Sequence, residues 1–227
     1  YSNIIKPIIS LRYSPNNSKN TRDTDRRINV NNVFSLNRLG VNDSVEGGGS
    51  LSFGTEFYKS DFSSREVVSA KIANVFKLKE DKNLPINSSL GKKTSDIMGY
   101  LNFNPSDFFN INYEFSQDEN LKDTNYQLLK NEFKINNFVT TFEYLNQNNG
   151  ANIESYLSNK TVYNFRKSNS FIFERRENKE TDATEFYNLM YQYRNDCLIA
   201  EIQYNKDYYT DRDLKPDESI FLNFTII

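Results

Sequence analysis

Few residues of this chain can do covalent or proton chemistry. Cys197, in "YQYRNDCLIAEIQYNKDYY", is the only cysteine among 227 residues, and histidine is absent. One thiol can form neither an internal disulfide nor a Cys-x-x-Cys pair. Without imidazole the usual general base, the Ser-His nucleophile and most zinc sites are missing. "EGGGS" at 46–50 has the glycines of a phosphate loop. It lacks the Lys-Ser/Thr ending and precedes a strand pattern, so its glycines are expected to permit a tight bend at a strand entry. The pairs Asp118/Glu119 and Asp211/Asp213 have the charge to hold a divalent cation, and Arg26, Arg27 and Arg38 have the geometry to hold a phosphate. Both sets read first as solvated loop charge. The residues assign no catalytic, cofactor or metal site, and the chain reads as a non-enzyme.

The elements that position these residues are strands. Hydrophobic residues make up 37% and no stretch approaches the roughly 18 apolar residues of a membrane helix, so a helical membrane protein is excluded. A membrane β-barrel is not, because half of each strand can be polar. Net charge is −2 with no basic block, which leaves nucleic-acid binding without electrostatic support. Aromatics make up 15%, all Tyr and Phe, too rich for a disordered chain and well suited to strands.

Period-two alternation recurs along most of the length. In "FFNINYEFSQ", Phe109, Ile111, Tyr113 and Phe115 share one face, and Asn110, Asn112, Glu114 and Ser116 the other. Tyr187, Leu189, Tyr191 and Tyr193 oppose Asn188, Met190, Gln192 and Arg194. Leu198, Ala200, Ile202 and Tyr204 oppose Ile199, Glu201, Gln203 and Asn205, and Ile220, Leu222, Phe224 and Ile226 oppose Phe221, Asn223 and Thr225. The pattern predicts about twelve strands, at 3–13, 48–59, 66–79, 96–104, 108–117, 125–135, 138–146, 153–165, 169–176, 184–194, 197–208 and 218–227.

Connections alternate. "NPSD" (104–107), "NN" (136–137), "RKS" (166–168) and "ND" (195–196) are short, while 80–95, 118–124, 147–152, 177–183 and 209–217 are longer. Residues 14–47 form a long excursion. An antiparallel sandwich would account for the two-faced strands, with the apolar face as core. Alternating loop length favours an all-β, antiparallel, up-and-down transmembrane barrel whose apolar face meets lipid.

Four stretches carry a family resemblance: "NVFSLNRLGVNDSVEGGGSLSFG" (32–54), "SDIMGYLNFNP" (95–105), "YRNDCLIAEIQYNKDYYTDRDLKPDESIFLNF" (193–224) and, more weakly, "VSAKIANVFKL" (68–78). Through them the chain resembles the C-terminal half of the LptD family of outer-membrane lipopolysaccharide-assembly proteins, alphaproteobacterial type; 106–186 is generic barrel. The resemblance implies that residues 1–227 are the C-terminal portion of a larger barrel, with 14–47 as an external loop. The periplasmic jelly roll and early barrel strands would lie outside this chain. It implies a non-enzymatic translocon in the bacterial outer membrane that delivers lipopolysaccharide through a lumen and a lateral gate. A lipoprotein of LptE type would plug the lumen, and periplasmic bridge proteins would feed the jelly roll. Residues Ser219, Ile220, Phe221, Leu222, Asn223, Phe224 and Thr225 would belong to the gate strand. With the last strand ending in the periplasm, short connections fall on the periplasmic side and long ones outside.

Cys197 then sits at the periplasmic rim, in an oxidising compartment. The resemblance implies a disulfide from Cys197 to the N-terminal domain. Family members carry two adjacent cysteines at this turn, whereas here Leu198 follows Cys197. The bare residue reading is a cysteine packed as a small hydrophobe. Two other functions fit the pattern, a passive porin-like channel and a soluble β-rich adhesin or carbohydrate-binding module.

Overall fold

The computed structural model describes residues 1–40, 46–148, 153–208 and 217–226. Twelve strands form one sheet in sequential order. They are β1 (Ser2–Ser14), β2 (Gly48–Ser60), β3 (Glu66–Lys77), β4 (Ile97–Ser106), β5 (Phe109–Gln117) and β6 (Thr124–Ile135), followed by β7 (Phe138–Asn148), β8 (Ile153–Arg166), β9 (Asn169–Asn178), β10 (Ala183–Arg194), β11 (Leu198–Asp207) and β12 (Asp217–Ile226). An antiparallel up-and-down order of this kind is what part of a barrel wall requires.

Each predicted strand is present, with ends moved by one or two residues. "NPSD" is the exception. Residues 104–106 continue β4, and the turn is Asp107–Phe108. Pro105 is tolerated because the β3–β4 ladder stops at Phe103, so no bond on that side needs its missing N–H. The Asn136–Asn137 turn forms as expected, with Asn136 at φ 51°, a conformation asparagine accepts and tight hairpins demand.

Loop alternation is sharper in the first half than in the second. Residues 15–47 and 78–96 are long, against 61–65 and 107–108. Later strands run further than their apolar pattern, which shortens two of the later long connections to 149–152 and 179–182, while 208–216 stays long. Backbone bonds such as Lys179 N–H to Ser155 O (2.8 Å) carry the ladder past the hydrophobic residues.

The chain divides into two compact units. The first holds 1–105, 112–128 and 146–154. Its core is Ile28, Val30, Val33 and Leu39 from the 15–47 connection and Leu84 and Leu90 from 78–96, packed on Ala73 and Val75 of β3 and Met98 of β4. Small residues on that face, Ser50, Ser52 and Gly54 of β2 and Ser69 and Ala73 of β3, give the loops room to approach. Within the expected loop at 14–47, the described residues 15–40 therefore form a folded cap over the polar face of their own strands. A single 3₁₀ turn, Ser89–Gly91, helps shape it. Ser88 caps the turn and also accepts the Ile28 N–H, joining the two long connections.

The second unit holds 106–111, 129–145 and 155–227. Leu145 is its one buried apolar side chain among the described residues. Continuous ladders hold it instead: β11–β12 pair from Leu198↔Ile226 to Asp207↔Asp217, and β10–β11 from Phe186↔Asp207 to Arg194↔Ile199.

Candidate functional site

Register sorts every strand into two faces. In the second unit, Tyr191↔Ile202 and Ile202↔Leu222 put Tyr191, Ile202 and Leu222 in one row, flanked by Leu189, Tyr193, Ala200 and Phe224. The row continues through Phe171 and Phe173 to Tyr163. The opposite row holds Gln192, Glu201 and Asn223, joined by hydrogen bonds of 2.6 and 3.1 Å onto Glu201. The apolar row is left open: Leu222 is 67% exposed and Phe224 66%. In the first unit, Ile9↔Phe53 heads the same kind of face, and Ile9 is 75% exposed. Open apolar faces of this extent are foreign to a soluble monomer and natural to a lipid-facing wall.

Three details fit that environment. The apolar face is bordered by amphipathic residues: Lys59 lies 5.1 Å from the Tyr1 ring in the first unit, and Arg175 5.7 Å from the Tyr187 ring in the second. Gly99, opposite Ile72, is covered by the Phe115 ring, which would overlap any added Cβ. One polar trio on the outer face of the second unit is mutually satisfied. Asn159 Nδ2 donates to Thr140 Oγ1 (3.0 Å), and the Thr140 and Thr161 hydroxyls are 2.9 Å apart. A group left unpaired in lipid would cost several kcal/mol, roughly, so this pairing is what makes the trio tolerable.

Charge on the inner side of the first unit is concentrated on one residue that sequence reasoning misses. Glu46 is buried and takes three cations. Arg38 binds it as a fork, Nε to Oε2 at 2.9 Å and Nη2 to Oε1 at 2.6 Å. Lys77 Nζ reaches Oε1 at 3.1 Å and Arg12 Nη1 reaches Oε2 at 2.9 Å. Arg38 also donates to Ser50 (2.7 Å) and Ser52 (3.1 Å). Asp81 supplies a second carboxylate 3.9 Å from Lys77 and accepts the Ser18 hydroxyl. Burial pulls the Arg38 guanidinium below its ordinary range, and Glu46 opposes that shift. The expectation of surface charge at Arg38 is thus corrected: it is 2% exposed, because Glu46 and two serines replace its water.

"EGGGS" has a local reason as well. A Cβ on Gly47 would lie 2.2 Å from the Asn16 carbonyl oxygen, and Gly48 has φ +78°. The glycines let the loop backbone touch and turn into β2, which delivers Glu46 to its cations.

The remaining sequence candidates are dispersed. Arg26 is exposed. Arg27 stacks 4.5 Å over Tyr126 and donates to Asn125 O; burial lowers its pKa. Asp118 closes its own turn, accepting the Lys122 and Asp123 N–H groups at 2.6 and 3.1 Å. The Asp123 N–H is the main cause holding that carboxyl below its ordinary range. Asp211/Asp213 lie outside the described residues. No cluster able to hold a metal ion occurs among the described residues.

Cys197 is exposed in a turn built by Asn195, whose Oδ1 accepts the Cys197 N–H (2.9 Å) and the Leu198 N–H (2.8 Å). The packed-hydrophobe reading therefore fails. The turn lies at the same end of the strands as Asp107–Phe108 and Asn136–Asn137 by the antiparallel order. Ser219–Thr225 lie within β12, whose outward residues are Ile220, Leu222, Phe224 and Ile226.

A family model described as LptD, LPS transport system D, matches residues 1–176. The chain belongs to the LptD family. It is thereby a component of lipopolysaccharide transport at the outer membrane, a transport part rather than an enzyme. The match spans β1 to most of β9 and ends before the cysteine turn and β12. Comparison with curated proteins gives no match.

Proposed function

We propose that the chain is the C-terminal wall of a barrel that passes lipopolysaccharide from its lumen into the outer leaflet through a lateral gate. β12 is the movable side of that gate. Its ladder to β11 is complete, whereas its other edge has no partner among the described strands. Such an edge must pair with another strand, and in a closed barrel that strand is the first. The observation that carries the reading is the two-faced row ending at β12, apolar at Leu222 and Phe224 and polar at Asn223. A lipid with a charged head and acyl chains needs both surfaces at its exit.

The polar face would line the lumen and meet a lipoprotein plug of LptE type. Short turns would face the periplasm, where bridge proteins hand lipopolysaccharide to an N-terminal domain. Cys197, exposed at that rim, would form a disulfide to that domain and hold it beneath the barrel. Reductive loss of export with a retained barrel supports the tie; a reduced Cys197 in actively exporting protein refutes it.

The gate is tested in the full-length protein by a reversible crosslink between a cysteine replacing Asn223 and one on the first barrel strand. Export is expected to stop when the link forms and return on its reduction. Unimpaired export with the link complete would refute the gate, and steady ion conductance without a plug would favour a passive channel.

A further inference from the structure

Pro7 sits inside β1, where a proline removes a ladder bond because it has no N–H to give. The register fixes which neighbour loses that bond. The Leu78 N–H donates to the Gly49 carbonyl at 3.0 Å, so Gly49 bonds toward β3. Bonding direction alternates along an antiparallel strand, and the β2–β3 register runs unshifted from Ser50 to Lys59, so Thr55 bonds toward β3 as well. Gly54 and Glu56 therefore bond toward β1, and their partners Ile8 and Lys6 bond toward β2. Pro7, opposite Thr55, faces the other edge of β1, together with Ile5, Ile9 and Leu11. That leading edge has no partner among the described strands. In the closed barrel proposed above an earlier strand must lie along it. Such a strand meets a row of donors with a gap at Pro7, and one of its own carbonyls is left unpaired in a wall that lipid keeps dry.

Two further observations single out this edge. Everything behind it is stiff. β1 pairs with β2 along its whole length, from Ser2↔Ser60 to Ser14↔Gly48. Arg12 of β1 holds Glu46 at 2.9 Å, and through Glu46 it joins the buried cluster of Arg38 and Lys77. Beside Pro7, by contrast, packing is thin. A groove of about 530 Å³ opens there, lined among others by Pro7, Ile9, Phe53 and Ile72. Neighbouring side chains do not close over the gap.

We propose that the leading edge of β1 is a hinge seam, along which the capped unit swings against the earlier wall when the gate at β12 opens. The inference rests on the barrel and the gate proposed above. Parting β12 from its neighbour requires the wall to bend elsewhere, and a bend settles where the fewest bonds and contacts resist it. The core and Glu46 hold β1–β4 together, so the distortion passes to the seam that lacks a bond.

The test uses full-length protein in native outer membranes. A short bismaleimide joins a cysteine replacing Ile9 to one on the facing residue of the preceding strand. A control joins cysteines replacing Leu11 and Leu51, which lie opposite each other in β1 and β2. The seam link is expected to slow lipopolysaccharide export severalfold, and the control link to leave it unchanged. Full export with the seam link complete would overturn the hinge. If the Asn223 crosslink still stops export in that case, the gate survives; if neither link matters, both readings fall. Equal loss from the control link would also overturn the hinge, because stiffening anywhere would then suffice. Pro7→Ala restores the missing donor. Amide exchange at Ile5 and Ile9 is expected to slow severalfold in that variant, while Ile8 and Ser10, which bond to β2, keep their rates. Unchanged exchange at Ile5 and Ile9, or an equal slowing at all four, would overturn the seam.

Discussion

The two compact units solve the same two-faced problem by different means. In the first, the polar face is capped: two long connections fold onto β2–β4, bury Ile28, Val33 and Leu90, and fasten themselves through Glu46 to Arg12, Arg38 and Lys77. In the second, the polar face is left open and its charges pair across strands at partly exposed sites, as in Lys160–Glu174 and Arg176–Glu185. Stability in the first resides in a dry core and a buried charge cluster. In the second it resides in ladders and in whatever the outer face contacts. The gate proposed for β12 suits the second design, because separating paired strands there does not require unpacking a core.

The difference is exposed most sharply at Glu46. Glu46→Ala strands three cations around a site where Arg38 and Lys77 are almost wholly enclosed, and a loss of about 3–5 kcal/mol is expected for an uncompensated buried charge. Protease susceptibility of the 15–40 cap measured in outer membranes would register it. Cap release with the barrel retained is the expected pattern. Leu90→Ala follows, at about 2–5 kcal/mol for a fully buried leucine, with a smaller rise in cap cleavage.

Leu222→Arg tests the other unit. On a lipid-facing strand it should cost about 2–4 kcal/mol if the site lies near the midplane, read as a lower urea midpoint in refolded protein. Asn223→Arg, one residue along on the polar face, should be close to neutral. Equal penalties would remove the distinction between the faces. Lys160→Ala is expected to be the mildest change, about 0–1 kcal/mol, because its partner Glu174 is also partly exposed and solvent screens the pair.

Much of the wall is legible in the sequence because period-two alternation is a local signal. Phe109/Ile111/Tyr113/Phe115 and Tyr187/Leu189/Tyr191/Tyr193 declare their faces without any knowledge of partners. The cap is not legible in the same way. Val30, Val33 and Leu39 sit among Asn, Arg and Ser with no regular period, and their burial depends on serines of β2 and β3 far along the chain. Glu46 looks like loop charge because its three partners lie 34, 8 and 31 residues away. "EGGGS" gave the bend but not its purpose, which is the approach of Gly47 to Asn16. β12 is legible as a strand, while the gate role proposed for it rests on the family resemblance and on its unpaired edge among the described strands.

The central claim is that one face of these strands meets lipid and the other meets the lumen. Spin labels placed singly at Ile202, Gln203, Leu222 and Asn223, in full-length protein in bilayers with Cys197 and every other native cysteine replaced by serine, test it most directly. Accessibility to oxygen, which partitions into lipid, should be high at 202 and 222 and low at 203 and 223. A water-soluble nickel chelate should show the reverse. Uniform accessibility along both strands, or chelate reaching 202 and 222 as readily as 203 and 223, would contradict the claim.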